Sequence, residues 1–271
     1  MTAAELRMHA GHLLTSTTRG AELVEELILA RRDTEPGLSE WWETMSDEQA
    51  RLHEGPEHPI DQAHIRAGLR LFHAWRVDAL RRRLGDRLGS AQILDVGDVD
   101  GLILRALGKD ELGFNLAETA IRNIEANGVR AQRGDGQRLP FGDAEFDAVL
   151  CFETLEHVES PFALLEELGR VCRPDGSVFV SIPWVPRTFI HERTPDLPRG
   201  HQHIFELSRA DFGSLVSHTP LEIAWEDVCE LLGPPGRPAH WPVLAVAQAS
   251  HVVAGTFHRF QFFELRHGAG T

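Results

Sequence analysis

Evenly spaced strand ends between Ile93 and Pro183 constrain the fold of this chain more than any other feature of its sequence. An apolar strand carries Asp95, and the next two strand ends fall at Asn115 and Asp135, each twenty residues further along. Two longer apolar runs complete the series, at 146–152 and 177–181. One helix and one strand per step is the spacing that a doubly wound parallel sheet requires.

Three segments of this series carry motifs: ILDVGDVDG, GDGQRLPFGDAEFDAVLCFETLEHV and ELGRVCRPDGSVFVSIP. In sequence and order they resemble the glycine turn, adenine loop, fourth strand and fifth-strand hairpin of the class I S-adenosylmethionine-dependent methyltransferases. The resemblance implies an α/β fold with a Rossmann-like sheet, mostly parallel with an antiparallel last strand. It also implies an enzyme that uses S-adenosylmethionine as its methyl donor.

The chain that precedes this series has the pattern of helices. Residues 21–30 and 65–84 repeat apolar side chains at helical spacing, and segments rich in proline and glycine lie between them. We therefore predict a helical N-terminal extension, residues 1–90, and a methyltransferase domain, residues 91–271. The extension is either a lid over the substrate pocket or a helical layer that packs on the sheet.

The chain that follows the series is expected to complete the sheet. Ser208, with Asp211 three residues later, indicates the start of a helix. Residues 221–232 and 257–265 have the pattern of the last two strands, an antiparallel pair. The insertion between them, 233–254, is rich in helix breakers and is expected to cover part of the active-site mouth.

Composition restricts the partners and the compartment. The formal net charge is −14 and the pI is near 5.5, which argues against a nucleic-acid partner because such a protein needs a basic face. The cysteines form no C-x-x-C pair, and no apolar run is long enough to cross a membrane. Without a basic and apolar leader either, the chain is expected to be cytoplasmic, with no membrane partner. The sequence leaves the oligomeric state open.

The resemblance implies a set of cofactor-binding residues along the strand ends. The set is Asp95, Gly97, Val99, Gly101, Asn115, Asp135, Gly136 and Phe152. Two members depart from the family pattern: Val99 replaces a glycine of the turn, and Asn115 replaces the acid that grips the ribose hydroxyls. A β-branched residue is a poor substitute where the backbone needs a positive φ, and an amide is a weaker partner than a carboxylate.

An acidic and histidine-containing motif follows the fourth strand. If Glu153 opens a helix, then Glu153, Glu156 and His157 converge on one face. The motif resembles the Glu-x-x-Glu-His of two branches of the family, the terminal 2′-O-methyltransferases of small RNAs and the ubiquinone-pathway O-methyltransferases. The first branch implies a Mg²⁺ or Mn²⁺ site made by Glu153, Glu156, His157 and His203. Glu-His at this place is also common in methyltransferases with no assigned metal, where the histidine lies against cofactor or substrate.

The predicted reaction is O-methylation of a small-molecule acceptor, with or without help from a metal ion. We assign catalysis to His157 as general base, with Glu153 beside it. Two alternatives stay open. One is a degenerate methyltransferase fold that serves as a non-catalytic binding or scaffold protein, which Val99 and Asn115 favour. The other is an RNA 2′-O-methyltransferase, for which a run of arginines from Arg76 to Arg87 would supply the basic groove.

Overall fold

A computed structural model describes residues 18–42, 63–109, 111–192, 202–249, 252–253, 256–257 and 259–268. The chain divides into two compact units, one made of residues 1–85 with 229–259 and the other of 86–228 with 260–271. The division after residue 85 lies close to the predicted boundary after residue 90. The structure assigns the later insertion, residues 233–254, to the first unit, so the two predicted domains stay a prediction.

The elements follow one another in the predicted order. The helices are α1 Thr18–Arg32, α2 Pro36–Trp42, α3 Ala63–Leu84, α4 Leu102–Ala106, α5 Glu118–Ala126, α6 Pro161–Val171, α7 Arg209–Val216 and α8 His240–Ala249. The strands are β1 Ile93–Val96, β2 Leu112–Asn115, β3 Arg130–Arg133, β4 Phe146–Phe152, β5 Cys172–Pro183, β6 Phe189–Ile190, β7 Phe205–Glu206, β8 Leu221–Glu230, β9 Val252–Val253, β10 Thr256–Phe257 and β11 Arg259–His267. Short 3₁₀ turns span Gly85–Gly89 and Leu155–His157.

The first unit is built on helix α3, which is buried along most of its length. Residues 71–77 are all buried, including the charged Arg76, whose guanidinium lies 3.6 Å from the centre of the Phe72 ring. A cation over an aromatic face replaces part of the hydration that burial removes. Arg81 lies over the Trp41 ring in the same way, at 4.1 Å. Because Arg76 is buried against Phe72, it cannot contribute to the exposed basic groove that an RNA acceptor would need.

The second unit contains a seven-stranded sheet of order β3-β2-β1-β4-β5-β11-β8. Strands β1 to β5 pair in parallel with their neighbours, whereas β11 pairs antiparallel with β5. This is the predicted fold class, a Rossmann-like methyltransferase sheet with an antiparallel last strand and helices before it, and the prediction is confirmed.

Burial explains why the central strands form. β4 is buried at all but one position and β5 along its last eight, as expected for parallel strands covered by helices on both faces. Helix α6 packs Leu164, Leu165 and Leu168 into the same core. Its start is set by Ser160, whose Oγ accepts from the Ala163 amide, with a proline at the first helical position.

Two predictions about the C-terminal part have clear outcomes. Ser208 caps helix α7 as expected, because its Oγ accepts a hydrogen bond from the Asp211 amide at 3.2 Å. The two last strands predicted at 221–232 and 257–265 are found as β8 and β11, and the insertion between them contains helix α8. Among the helices that the structure describes, none combines the length and the apolar character needed to cross a bilayer.

Candidate active site

The predicted cofactor residues gather at one edge of the sheet. Asp95 is buried near the end of β1, Asn115 ends β2, and Asp135 follows β3 by two residues. Because these strands are parallel neighbours, their carboxyl ends meet at the same edge, where open α/β sheets bind ligands. The structure therefore brings these residues to one place, while their roles stay a prediction.

The turn after β1 obtains its shape from its two glycines. Gly97 has φ 91° and Gly101 has φ 71°, in the region that side chains with a Cβ avoid. A Cβ on Gly97 would lie 2.0 Å from Oγ1 of Thr154, so this position also needs glycine for space. Val99, in contrast, is not among the residues with positive φ. The expected backbone strain at Val99 is therefore absent, because the turn does not require a positive φ there.

Two aspartates of the turn accept hydrogen bonds from backbone amides at the start of the helix that follows. Oδ1 of Asp98 accepts from the amides of Asp100 and Gly101, at 3.1 and 2.7 Å, and Oδ1 of Asp100 accepts from Leu102 at 3.0 Å. The amides of Asp100, Gly101 and Leu102 are therefore already bonded within the turn, and Leu102 is the first residue of α4.

Asn115 joins two turns of the site. Its Nδ2 donates to the carbonyl oxygen of Asp98 at 2.8 Å, and its Oδ1 accepts from the amide of Ala117 at 2.8 Å. The first bond ties β2 to the glycine turn, and the second shapes the entry into helix α5. A carboxylate could not make the first bond, since it has no proton to donate. The departure from the family acid thus has a structural reason.

The segment that the resemblance assigns to the adenine loop is hydrogen-bonded to two charged residues of α6. Oε2 of Glu167 accepts from the amide of Leu139 at 2.7 Å, while Arg170 donates to the carbonyl oxygens of Leu139 and Phe141 at 3.0 and 2.8 Å. Hydrogen bonds from Arg170 lower the pKa of Glu167, which keeps that carboxylate ionised. At the head of the loop, Asp135 is exposed and accepts from the Gln137 amide.

Leu116 is a candidate that sequence reasoning missed. It directly follows Asn115 and is 64% exposed, although most large apolar residues of this unit are buried. Asp135 follows the neighbouring strand, so the two residues place an apolar side chain and a carboxylate on the same edge. That pair suits the face and the amino group of an adenine. A leucine immediately after a strand end, before a helix start, was the available signal.

Glu153 does not open a helix, contrary to the conditional expectation from the sequence. Its φ is 47°, an uncommon value for a residue with a side chain, and the 3₁₀ turn begins only at Leu155. Ser181 on β5 holds this conformation: its carbonyl oxygen accepts from the Glu153 amide at 3.1 Å, and its Oγ donates to Oε1 of Glu153 at 2.8 Å. Strained residues held by several bonds often lie at ligand sites.

Glu156, His157 and His203 form a cluster without Glu153. One potential ligand atom from each lies within 4.8 Å of the others. The 3₁₀ turn supplies the first two residues, and the amide of Ile204 donates to the carbonyl oxygen of Glu156 at 2.6 Å, which brings His203 beside them. Of the four predicted metal ligands, the structure thus groups three.

The two imidazoles of this cluster face each other. Their ring centres are 4.8 Å apart with the planes at 80°, an edge-to-face arrangement. Nδ1 of His157 is 3.0 Å from the carbonyl oxygen of Gln202. A carbonyl only accepts, so Nδ1 of His157 carries hydrogen, and in the neutral imidazole Nε2 has the lone pair. Such a nitrogen can accept a proton or bind a metal ion.

Phe152 ends β4 with its ring packed on Phe262 of β11, the ring centres 5.3 Å apart. The next residues bring Thr154 against Gly97, so the end of β4 and the glycine turn are in close contact. The structure therefore places Phe152 beside the predicted cofactor residues. Its predicted contact with the cofactor stays a prediction.

Comparisons with known proteins agree with this architecture. A sequence profile of the family described as "Methyltransferase domain" matches residues 94–180. The ubiquinone biosynthesis O-methyltransferase of Xanthomonas oryzae pv. oryzae is 26% identical over 215 residues, which cover 73% of this chain and 81% of that relative.

Solved structures share the fold at low identity. The 1,6-didemethyltoxoflavin-N1-methyltransferase of Burkholderia thailandensis, solved with 1,6-didemethyltoxoflavin and S-adenosylhomocysteine, superposes with a TM-score of 0.53 at 16% identity, covering 72% of this chain and 77% of that one. An S-adenosylmethionine-dependent methyltransferase from Mesorhizobium loti gives 0.51 at 18% identity, covering 72% and 97%. The sheet order and the matched domain together bear out the predicted resemblance to the class I S-adenosylmethionine-dependent methyltransferases.

Proposed function

We propose that the chain methylates a hydroxyl oxygen of a small molecule, with His157 as the general base. The observation that carries this proposal is the hydrogen bond between Nδ1 of His157 and the Gln202 carbonyl, which selects the neutral tautomer with its basic lone pair on Nε2. A hydroxyl must lose its proton to attack a methyl group, whereas a neutral amine need not. The O-methyltransferase named among the relatives supports the same choice of acceptor atom.

The chemistry of an imidazole base restricts the acceptor further. A phenol has a pKa of about 10 and an imidazolium about 6.5, so proton transfer between them is feasible inside a site that stabilises the phenolate. S-adenosylmethionine, when bound, supplies a methyl group already activated on a sulfonium. The protein then has to hold the acceptor oxygen in line and exclude water. We therefore propose a phenol or catechol as the acceptor class.

The residues at the sheet edge fit the cofactor better at one end than at the other. Leu116 and Asp135 offer an apolar surface and a carboxylate for the adenine, and these favour binding. Asp98 and Asn115 form hydrogen bonds with backbone groups of the turn itself rather than facing a ligand with those atoms. This favours the scaffold alternative. Titration with S-adenosylhomocysteine by calorimetry separates the two, because a scaffold that has lost the cofactor gives no heat.

The reaction is tested by methyl transfer from tritiated S-adenosylmethionine. We expect label in catechol, and not in benzylamine, benzoate or a small-RNA duplex given at the same concentration. Mass spectrometry of the product then shows whether the label is on oxygen. Label in the amine alone would overturn the proposed acceptor atom, in line with the N1-methyltransferase of similar fold. Label in the RNA alone would favour the second branch of the resemblance.

Metal assistance is a second candidate, favoured by the Glu156, His157 and His203 cluster. With Glu153 bonded to Ser181, the donor set is one carboxylate and two imidazoles, which suits Mn²⁺ better than the oxygen-seeking Mg²⁺. A bound cation would act as a Lewis acid toward the acceptor hydroxyl. His157 is held by a backbone carbonyl, the arrangement that orients many ligating histidines.

Manganese alone is the probe for this site. We expect electron paramagnetic resonance to show Mn²⁺ bound to the wild-type protein at one site, and to show that binding lost in His203→Asn. His218→Asn, which changes an exposed histidine at the end of α7, should bind as the wild type does. Failure of the wild type to bind at millimolar Mn²⁺ would contradict the metal candidate and leave His157 as the base.

A further inference from the structure

A buried carboxylate joins two histidines beside the active-site cluster. Glu206 on β7 is 6% exposed, and its Oε1 lies 3.1 Å from Nδ1 of His203 and 3.1 Å from Nε2 of His191. The pairing of β6 with β7 brings these residues together, and the His191 amide donates to the carbonyl oxygen of Ile204 at 3.0 Å. The predicted site contained His203 and no partner for it.

The hydrogen bond between His203 and Glu206 determines where the proton of this imidazole lies. A carboxylate accepts hydrogen bonds and donates none, so Nδ1 of His203 must carry hydrogen. His191 lies close to the same carboxylate oxygen, as an additional nearby imidazole. In neutral His203 the lone pair is left on Nε2.

We propose that Glu206 is a positioning residue that fixes His203 in the tautomer with its lone pair on Nε2. His157 is in the same tautomer because of its bond to Gln202, and the two rings lie edge to face at 4.8 Å. The facing imidazoles therefore offer the same kind of nitrogen to an acceptor hydroxyl. This inference rests on the proposed function, because the nitrogen of His203 matters only if the cluster serves the acceptor.

The burial of Glu206 supports a role beyond packing. Burying a carboxylate costs free energy that its hydrogen bonds must offset, and an apolar side chain would fill the same space without that cost. Phe205 and Ile204 beside it show that this segment accommodates apolar residues. A carboxylate at this position is best explained by the Nδ1–H of His203 from which it accepts a hydrogen bond.

The test measures the tautomer directly. Protein labelled with ¹⁵N-histidine is studied by two-bond ¹H–¹⁵N correlation at a pH where the imidazoles are neutral, with His203 assigned through His203→Asn. We expect the Nδ1–H pattern for His203 in the wild type. Glu206→Gln keeps an acceptor oxygen without the charge and should largely retain this pattern, whereas Glu206→Leu should lose it.

Variants that change the tautomer of His203 should also lower the turnover number. With a phenol acceptor, kcat of Glu206→Leu should fall about tenfold, as for other residues that orient a functional imidazole, and Glu206→Gln should recover much of the loss. The dissociation constant of S-adenosylhomocysteine should stay unchanged in both. Glu192→Gln, an exposed change in the same segment, should match the wild type in every measurement.

Two results would overturn this inference. One is an Nε2–H pattern for His203 in the wild type, and the other is a Glu206→Leu variant that keeps both the pattern and kcat. The resonance measurement needs no acceptor, so it decides the tautomer even if the chain methylates none of the probes. Methyl transfer without the expected tautomer would refute the role of Glu206 alone.

Discussion

Replacing His157 with asparagine should lower kcat by about 10²–10⁴-fold, the usual contribution of a general base. Asparagine can still donate to the Gln202 carbonyl, as Nδ1 of His157 does, but it has no group at the position of Nε2. The local structure should therefore survive while proton acceptance is lost. Turnover of a phenol acceptor and calorimetry with S-adenosylhomocysteine, measured on the same preparation, check the prediction.

The control for this variant is His218→Asn, which makes the same chemical change at an exposed site. It should change neither kcat nor the affinity for S-adenosylhomocysteine. A His157→Asn protein that loses cofactor affinity as strongly as turnover would assign His157 to cofactor binding. That outcome would agree with the alternative that the family resemblance left open, in which this histidine lies against the cofactor or substrate without acting as a base.

The fold was predictable because its determinants are local and periodic. Strand ends at twenty-residue spacing, apolar runs and the cap at Ser208 depend on neighbours in the sequence, and each appears in the structure where expected. The glycines of the β1 turn were also predictable, since a tight turn at a strand end needs positive φ. The resemblance to a known family added the expectation that the cofactor binds at the edge of the sheet where these strands end.

The site was only partly predictable because its key contacts are long-range. Nothing near Glu153 in the sequence indicates that Ser181, on another strand, holds it at φ 47° and removes it from the cluster. The sequence likewise did not indicate that Glu206 lies next to two histidines, because the pairing of β6 with β7 brings His191 close to it. The sequence pattern identified ligand types, whereas pairing of distant strands determined which of them meet.

Asn115→Asp should weaken the binding of S-adenosylhomocysteine by about tenfold or more, although it restores the acid typical of the family. The new carboxylate could still accept from the Ala117 amide, but its second oxygen would face the carbonyl oxygen of Asp98 at hydrogen-bond distance. Repulsion between the two oxygens would displace the glycine turn at the predicted cofactor site, and each 1.4 kcal/mol of lost binding free energy is a factor of about ten in affinity. Calorimetry and thermal unfolding of the variant measure both effects.

Asn127→Asp is the matched control, because Asn127 makes the same kind of bond to the same turn: its Nδ2 donates to the carbonyl oxygen of Asp100 at 2.8 Å. It lies after α5 and belongs to no predicted ribose contact, so it should lower the unfolding temperature as Asn115→Asp does. If Asn115→Asp instead bound the ligand more tightly than the wild type, the new carboxylate would be accepting hydrogen bonds from the ribose hydroxyls. Asn115 would then be a weakened ribose ligand, because a residue that only braces the turn cannot gain affinity from losing its donor.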